Sequence, residues 1–167
     1  EAHGGADFLY DEVRGLLSQA DLTIGTLNAS LTDYAPFTGC VQTFVLVGSP
    51  DNAGAMARAG FDVLSVATNH IKNCGLKNCG DRALLDTLEN LAQAGILSVG
   101  AGKDLAEASA PVVVEVRGIR FVFLSLGEIE PLAFAGENTP GIGVLTEETL
   151  RAGIAQAREM GDVVVVL

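Results

Sequence analysis

Asn28, Asn69 and His70 are the residues of this chain whose types and placement could do chemistry. An Asn side-chain oxygen can ligate a hard or borderline cation. A neighbouring His can ligate too, or act as a general acid near its ordinary pKa. Asn69-His70 follows the apolar run FDVLSVA, and Asn28 follows LTIGTL. Glu128 and Glu130 stand just beyond a third such run that ends at Leu126. The plainer reading is a turn Asn beside a hydrogen-bonded His, since polar turn residues are common.

The cysteines offer three alternatives. His70-x3-Cys74-x4-Cys79 supplies three zinc ligands at loose spacing, one short of a closed structural site. A Cys74–Cys79 disulfide could close a small loop in an oxidising compartment. Inert thiols are the third option. With Cys40 the count is three, which is no disulfide framework. Gly100-x-Gly102 lacks the third small residue of a dinucleotide fingerprint, because Leu105 stands there, and it reads as a tight turn.

Elements must position these residues. Asp7 to Gln19 has apolar residues at roughly helical spacing and predicts an amphipathic helix. Leu22 to Leu27, Val41 to Val47, Phe61 to Ala67 and Ile96 to Val99 predict strands. Pro50 to Ala59 and Gly80 to Ala94 predict helices, the second with Asp81 as its N-cap. Asp104 to Ala108 predicts a short helical turn. Pro111 to Val116 and Ile119 to Leu126 bracket Arg117-Gly118 and predict an antiparallel hairpin. Thr146 caps a helix to Met160, and DVVVVL, from Asp162, reads as a central, covered strand. Helices alternating with apolar strands predict an α/β fold around mostly parallel or mixed sheets. Ligands of such sheets gather beyond the carboxyl ends of strands, and three strand ends here carry these polar residues.

The 167 residues suit one domain, and 49% hydrophobic against 19% charged excludes intrinsic disorder. No apolar run approaches the roughly 20 residues of a membrane helix. The net charge is −11, with no basic stripe, so nucleic acid is not an expected partner. An anionic substrate would need a metal or helix N-termini to overcome that field.

The ordered stretches ADLTIGTLNASLT, GFDVLSVATNHIKNCG, LLDTLENLAQAGILSVGAGKDLAEASAPVVVEVRGIRFVFLSLG and TPGIGVLTEETL resemble successive motifs of the bacterial capsule-synthesis, poly-γ-glutamate (PGA-cap, CapA) family. The resemblance covers nearly the whole chain. It implies a layered α/β sandwich of the calcineurin-like metallophosphoesterase type, with mixed sheets flanked by helices and a metal site at strand ends. It further implies a divalent metal (Mn, Zn, Fe or Mg), an anionic polymer or phosphoester substrate, and a place at the cell envelope. The family's Asn-Asn-His falls on Thr68-Asn69-His70, which implies Asn69 as metal ligand and His70 as the acid or phosphate-facing group. Its Asn-Leu-Glu falls on Thr26-Leu27-Asn28, so Asn28 takes the place of a metal-binding Glu. Asn73 likewise stands where the family has Asp. An early Gly-Asp strand and a late His-x-Gly-x-Glu loop are not found, so residues 1–167 are expected to form a single domain cut at both ends. Two lost carboxylates weaken divalent-cation binding, and a non-catalytic binding or assembly component of the same fold is the alternative.

Overall fold

The structure is a computed structural model that describes residues 5–34, 46–73 and 80–167. All three cysteines, the Cys74–Cys79 pairing and most of the strand expected over 41–47 lie outside the described residues.

In chain order, a 3-10 turn (Ala6–Tyr10) and helix α1 (Arg14–Leu17) precede strands β1 (Ile24–Thr26), β2 (Ser30–Leu31) and β3 (Val47–Gly48). Helix α2 (Asp51–Ala59), β4 (Val63–Ser65), α3 (Gly80–Gln93), β5 (Leu97–Val99) and β6 (Ala101–Gly102) follow. After these come α4 (Leu105–Ala108), the hairpin β7 (Val112–Val116) and β8 (Ile119–Leu124), and a second 3-10 turn (Pro131–Ala133). Strand β9 (Gly141–Ile142), α5 (Glu147–Met160) and β10 (Val163–Val166) complete the order.

Two three-stranded sheets carry the fold. One is parallel, in the order β1-β4-β5; the other is mixed, β10-β8-β7. Strand periodicity explains how they stack, because successive side chains point to opposite faces. In β4, Val63 faces the other sheet and packs with Val99 and Phe123. Leu64 and Val66 face the other way, into a larger core with Met56, Leu84, Leu91 and Ile96. In β8, Phe121 and Phe123 point between the sheets. Leu124 points outward, close enough to α5 that a Cβ on Gly153 would meet its Cδ2 at 2.7 Å. The result is sheet against sheet with helices on the outer faces.

Local chemistry fixes several boundaries. Gly60 ends α2 at φ 106, a left-handed conformation that costs glycine little. The β7–β8 turn places Arg117 and Gly118 both at positive φ, as a tight two-residue hairpin requires. Thr146 caps α5 by accepting from the Thr149 N–H.

Two expectations need correction. The helix expected from Asp7 to Gln19 is only a 3-10 turn and one short helical turn, and neither buries a residue. Phe8, Leu9, Val13 and Leu16 stay exposed, so burial does not offset the helix-nucleation cost or the glycine at Gly15. Asp81 is not a cap: α3 already includes Gly80, and the Asp81 carboxylate pairs with Lys72. Strand β10 neighbours β8 in the order β10-β8-β7 of the described strands. Its valines pair with β8, and Val165 packs against the core between the sheets.

Candidate functional site

Ser65 and Ser125 mark where the site is built. Both lie at the carboxyl ends of inward-facing rows, on β4 and just past β8, and both are buried. Their hydroxyls meet at 2.8 Å, a polar tie between the two sheets where the chain turns outward. Beyond them, residues 67–69 and 127–129 diverge and form the walls of an open cleft of ≈ 250 Å³. Thr26, Asn28, Ala67, Thr68, Asn69, Gly127, Glu128 and Ile129 line it. The crevice thus lies past the ends of β1, β4 and β8, where an α/β sheet is expected to receive ligands.

Backbone-directed hydrogen bonds hold the first wall. The Thr68 hydroxyl donates to the Leu27 carbonyl at 3.1 Å. The His70 N–H donates to Asn28 Oδ1 at 3.3 Å, and the Ser30 hydroxyl donates to the Ile71 carbonyl at 2.7 Å. Ile71 is fully buried and anchors the turn in the larger core. Gly127 fixes the second wall. A Cβ there would lie 2.6 Å from Ile142 Cδ1 and 2.9 Å from the Ala67 carbonyl oxygen, so the walls approach this closely only with glycine.

The site residues read from the sequence separate here. Asn28 and Asn69 come together in the cleft. His70 is not among its lining residues, and its Nδ1 is buried with no hydrogen-bond partner among the described residues. A buried side-chain nitrogen without a partner is uncommon in folded proteins. Glu128 joins the cleft as its carboxylate, in keeping with its strand-end position. Sequence reasoning missed Gly127 and the serine pair, although a glycine directly after an apolar strand is a legible sign of close approach.

The donors fit a divalent ion in part. In the cleft Asn28 and Asn69 offer neutral oxygens and Glu128 a carboxylate; the His70 imidazole is not among the lining groups. That chemistry suits one ion. A dinuclear centre requires several carboxylates to balance and bridge its charge, and Asn28 and Asn73 are amides. Among the described residues no group of three or more His, Cys, Asp or Glu is placed to hold a metal. Also among the described residues, no helix is long and apolar enough to cross a membrane. A second hollow of ≈ 350 Å³, lined by Asp33, Tyr34, Arg82, Asp86 and Glu89 among others, lies past β2 and β3, away from the ends of β1, β4 and β8. There Arg82 stacks 4.8 Å from the Tyr34 ring centroid and pairs with Asp86.

Comparisons with known proteins converge on one family. The family described as "Bacterial capsule synthesis protein PGA_cap" matches residues 2–167. The chain is 25% identical over 164 residues to the PGA biosynthesis protein CapA of Bacillus subtilis, covering 97% of this chain and 42% of that protein. It is 32% identical over 130 residues to a "probable polyglutamine synthesis accessory protein" of Mycobacterium tuberculosis, covering 70% of this chain and 33% of that one. It therefore spans less than half the length of these relatives. Among solved structures, the NAD nucleotidase of Haemophilus influenzae superposes with a TM-score of 0.59 at 15% identity, over 98% of this chain and 31% of that one. That likeness shows the fold, a metallophosphoesterase-type layered α/β sandwich.

Proposed function

From the premise that the chain belongs to the bacterial capsule synthesis protein PGA_cap family, we propose that its strand-end cleft is the working site of a metal-dependent hydrolase or transferase. The substrate class is a cell-envelope polymer of the poly-γ-glutamate kind or a phosphoester, and the site of action is outside the cytoplasm. The observation that carries the reading is the convergence of Asn28 and Asn69 with Glu128 in one cleft beyond the ends of β1, β4 and β8.

Asn69 and Asn28 would hold the ion, with Glu128 as the charged donor. A divalent ion bound there would polarise the scissile group and lower the pKa of a bound water. The protein's own part is positional. Asn28 Oδ1 accepts from the His70 N–H, so the Asn28 carboxamide and the His70 backbone are locked to each other. Thr68, tied to Leu27, fixes the adjoining wall. His70, one residue along from Asn69, is the candidate proton donor, and its Nδ1, which has no partner among the described residues, is the atom to examine.

The test is hydrolysis of a generic phosphodiester by the full-length protein with Mn²⁺ or Zn²⁺. Asn69→Ala and His70→Ala are each expected to lower kcat/KM by at least about 100-fold with folding retained. Absence of turnover with every divalent metal would sink the catalytic reading. A second reading, a non-catalytic binding or assembly component, is favoured by the amides at Asn28 and Asn73. Calorimetric titration of the full-length protein with Mn²⁺ separates the two, since tight binding argues against the second.

A further inference from the structure

Lys72 lies two residues beyond His70, and its side chain is 11% exposed. Its Nζ donates to the Pro140 carbonyl at 2.7 Å and pairs with Asp81 Oδ1 at 2.6 Å. A buried ammonium is unfavourable unless its protons are met, and an apolar side chain of the same length would fill the space without that cost. A lysine here supplies direction rather than volume. Its two partners belong to different parts of the cleft's support. Asp81 is in the first turn of α3, the helix packed behind β4. Pro140 leads directly into β9, and the 141–143 stretch carries the opposite wall. The Gly127 N–H donates to the Gly143 carbonyl at 2.8 Å, and Ile142 packs on Gly127.

We propose that Lys72 is a positioning residue, a charged strut that sets the gap between the Asn69 wall and the Glu128 wall of the cleft. Its use in function rests on the cleft being the working site. The strut itself does not. Methionine in place of Lys72 would leave the Pro140 carbonyl without its donor and free the 140–143 segment to shift. Arginine would retain both the charge and a donor.

The test uses full-length protein labelled with ¹⁵N at Asn and Gly, as wild type, Lys72→Met and Lys72→Arg. In Lys72→Met the amide signals of Asn69 and Gly127 should both move, while Gly95, at the far end of α3, stays in place. Lys72→Arg should return both signals toward their wild-type positions. Mn²⁺ should broaden Asn69 and Gly127 in the wild type, and Lys72→Met should weaken that binding about tenfold. Movement of Asn69 without Gly127, or no movement of either, overturns the strut. Paired movement without any Mn²⁺ broadening in the wild type upholds the strut and counts against the metal reading instead. If Lys72→Met does not fold, Asp81→Asn is read in its place: it removes the strut's charged anchor at an exposed position, the Asn69 and Gly127 signals should again move together, and no movement of either overturns the strut.

Discussion

At Asn28 the side chain that sequence reasoning casts as a ligand has a second task. Its Oδ1 already accepts the His70 N–H, so a bound ion would share that oxygen or take a different lone pair. A carboxylate at this position has four lone-pair directions over two oxygens; the amide has half of them. The Ser65–Ser125 hydroxyl pair is the other residue-scale device, and it makes a sharp prediction. Ser65→Ala should cost about 1–3 kcal/mol by leaving the Ser125 hydroxyl buried and unmet. Adding Ser125→Ala should cost less than the sum of the single changes, because no orphan then remains. Urea unfolding of the four species measures this, and strict additivity would show that the hydroxyls do not depend on each other.

Elements of this protein are held by tertiary contact more than by their own propensity. Helix α5 also has local support at one end, where Thr146 and Thr149 bond reciprocally across the first turn. Thr146→Ala should therefore lower stability by about 1 kcal/mol, seen as a lower thermal midpoint, while Thr146→Ser should be near neutral. Residues Ala6–Leu17 show the opposite case. Asp7 accepts from Arg58 at 2.8 and 2.9 Å and from Arg14 at 3.4 Å, and Tyr10 packs edge-on against Phe61, so these contacts hold the segment while Phe8, Leu9, Val13 and Leu16 remain exposed. A helical spacing without a surface to bury it did not become a full helix.

Over the whole molecule, the charge of −11 makes acid titration a probe of the native state. The Asp162 carboxyl is held below its ordinary value, first by the Arg120 backbone N–H and then by its side chain. Asp7 is lowered chiefly by its hydrogen bonds from Arg58. A carboxyl with a depressed folded pKa contributes stability that is complete above its unfolded pKa of about 3.9 and is lost as pH falls through the folded value. Acidification from about pH 5 to about pH 2.5 should thus destabilise the wild type more than Asp162→Asn. Equal losses in the two proteins would show that the Arg120 contact does not favour the ionised form.

Periodicity and punctuation are legible in the amino-acid sequence. Alternating apolar runs, Gly60, the Arg117-Gly118 turn and the Thr146 cap locate most helices and strands, because each acts over a few neighbouring residues. The strand-end position of Asn28, Asn69 and Glu128 is legible for the same reason. Whether those side chains share a cleft is not, since that depends on which strands lie side by side and how two sheets face each other. The order β1-β4-β5 brings Asn28 beside Asn69, and the sheet-to-sheet packing through Phe123 and the serine pair brings Glu128 opposite. By itself the sequence determined the local elements and the residue types available for chemistry. Only the tertiary structure decided that His70 lies off the cleft lining, that DVVVVL pairs with β8 and that Lys72 joins two walls, because contacts between distant residues set each of these.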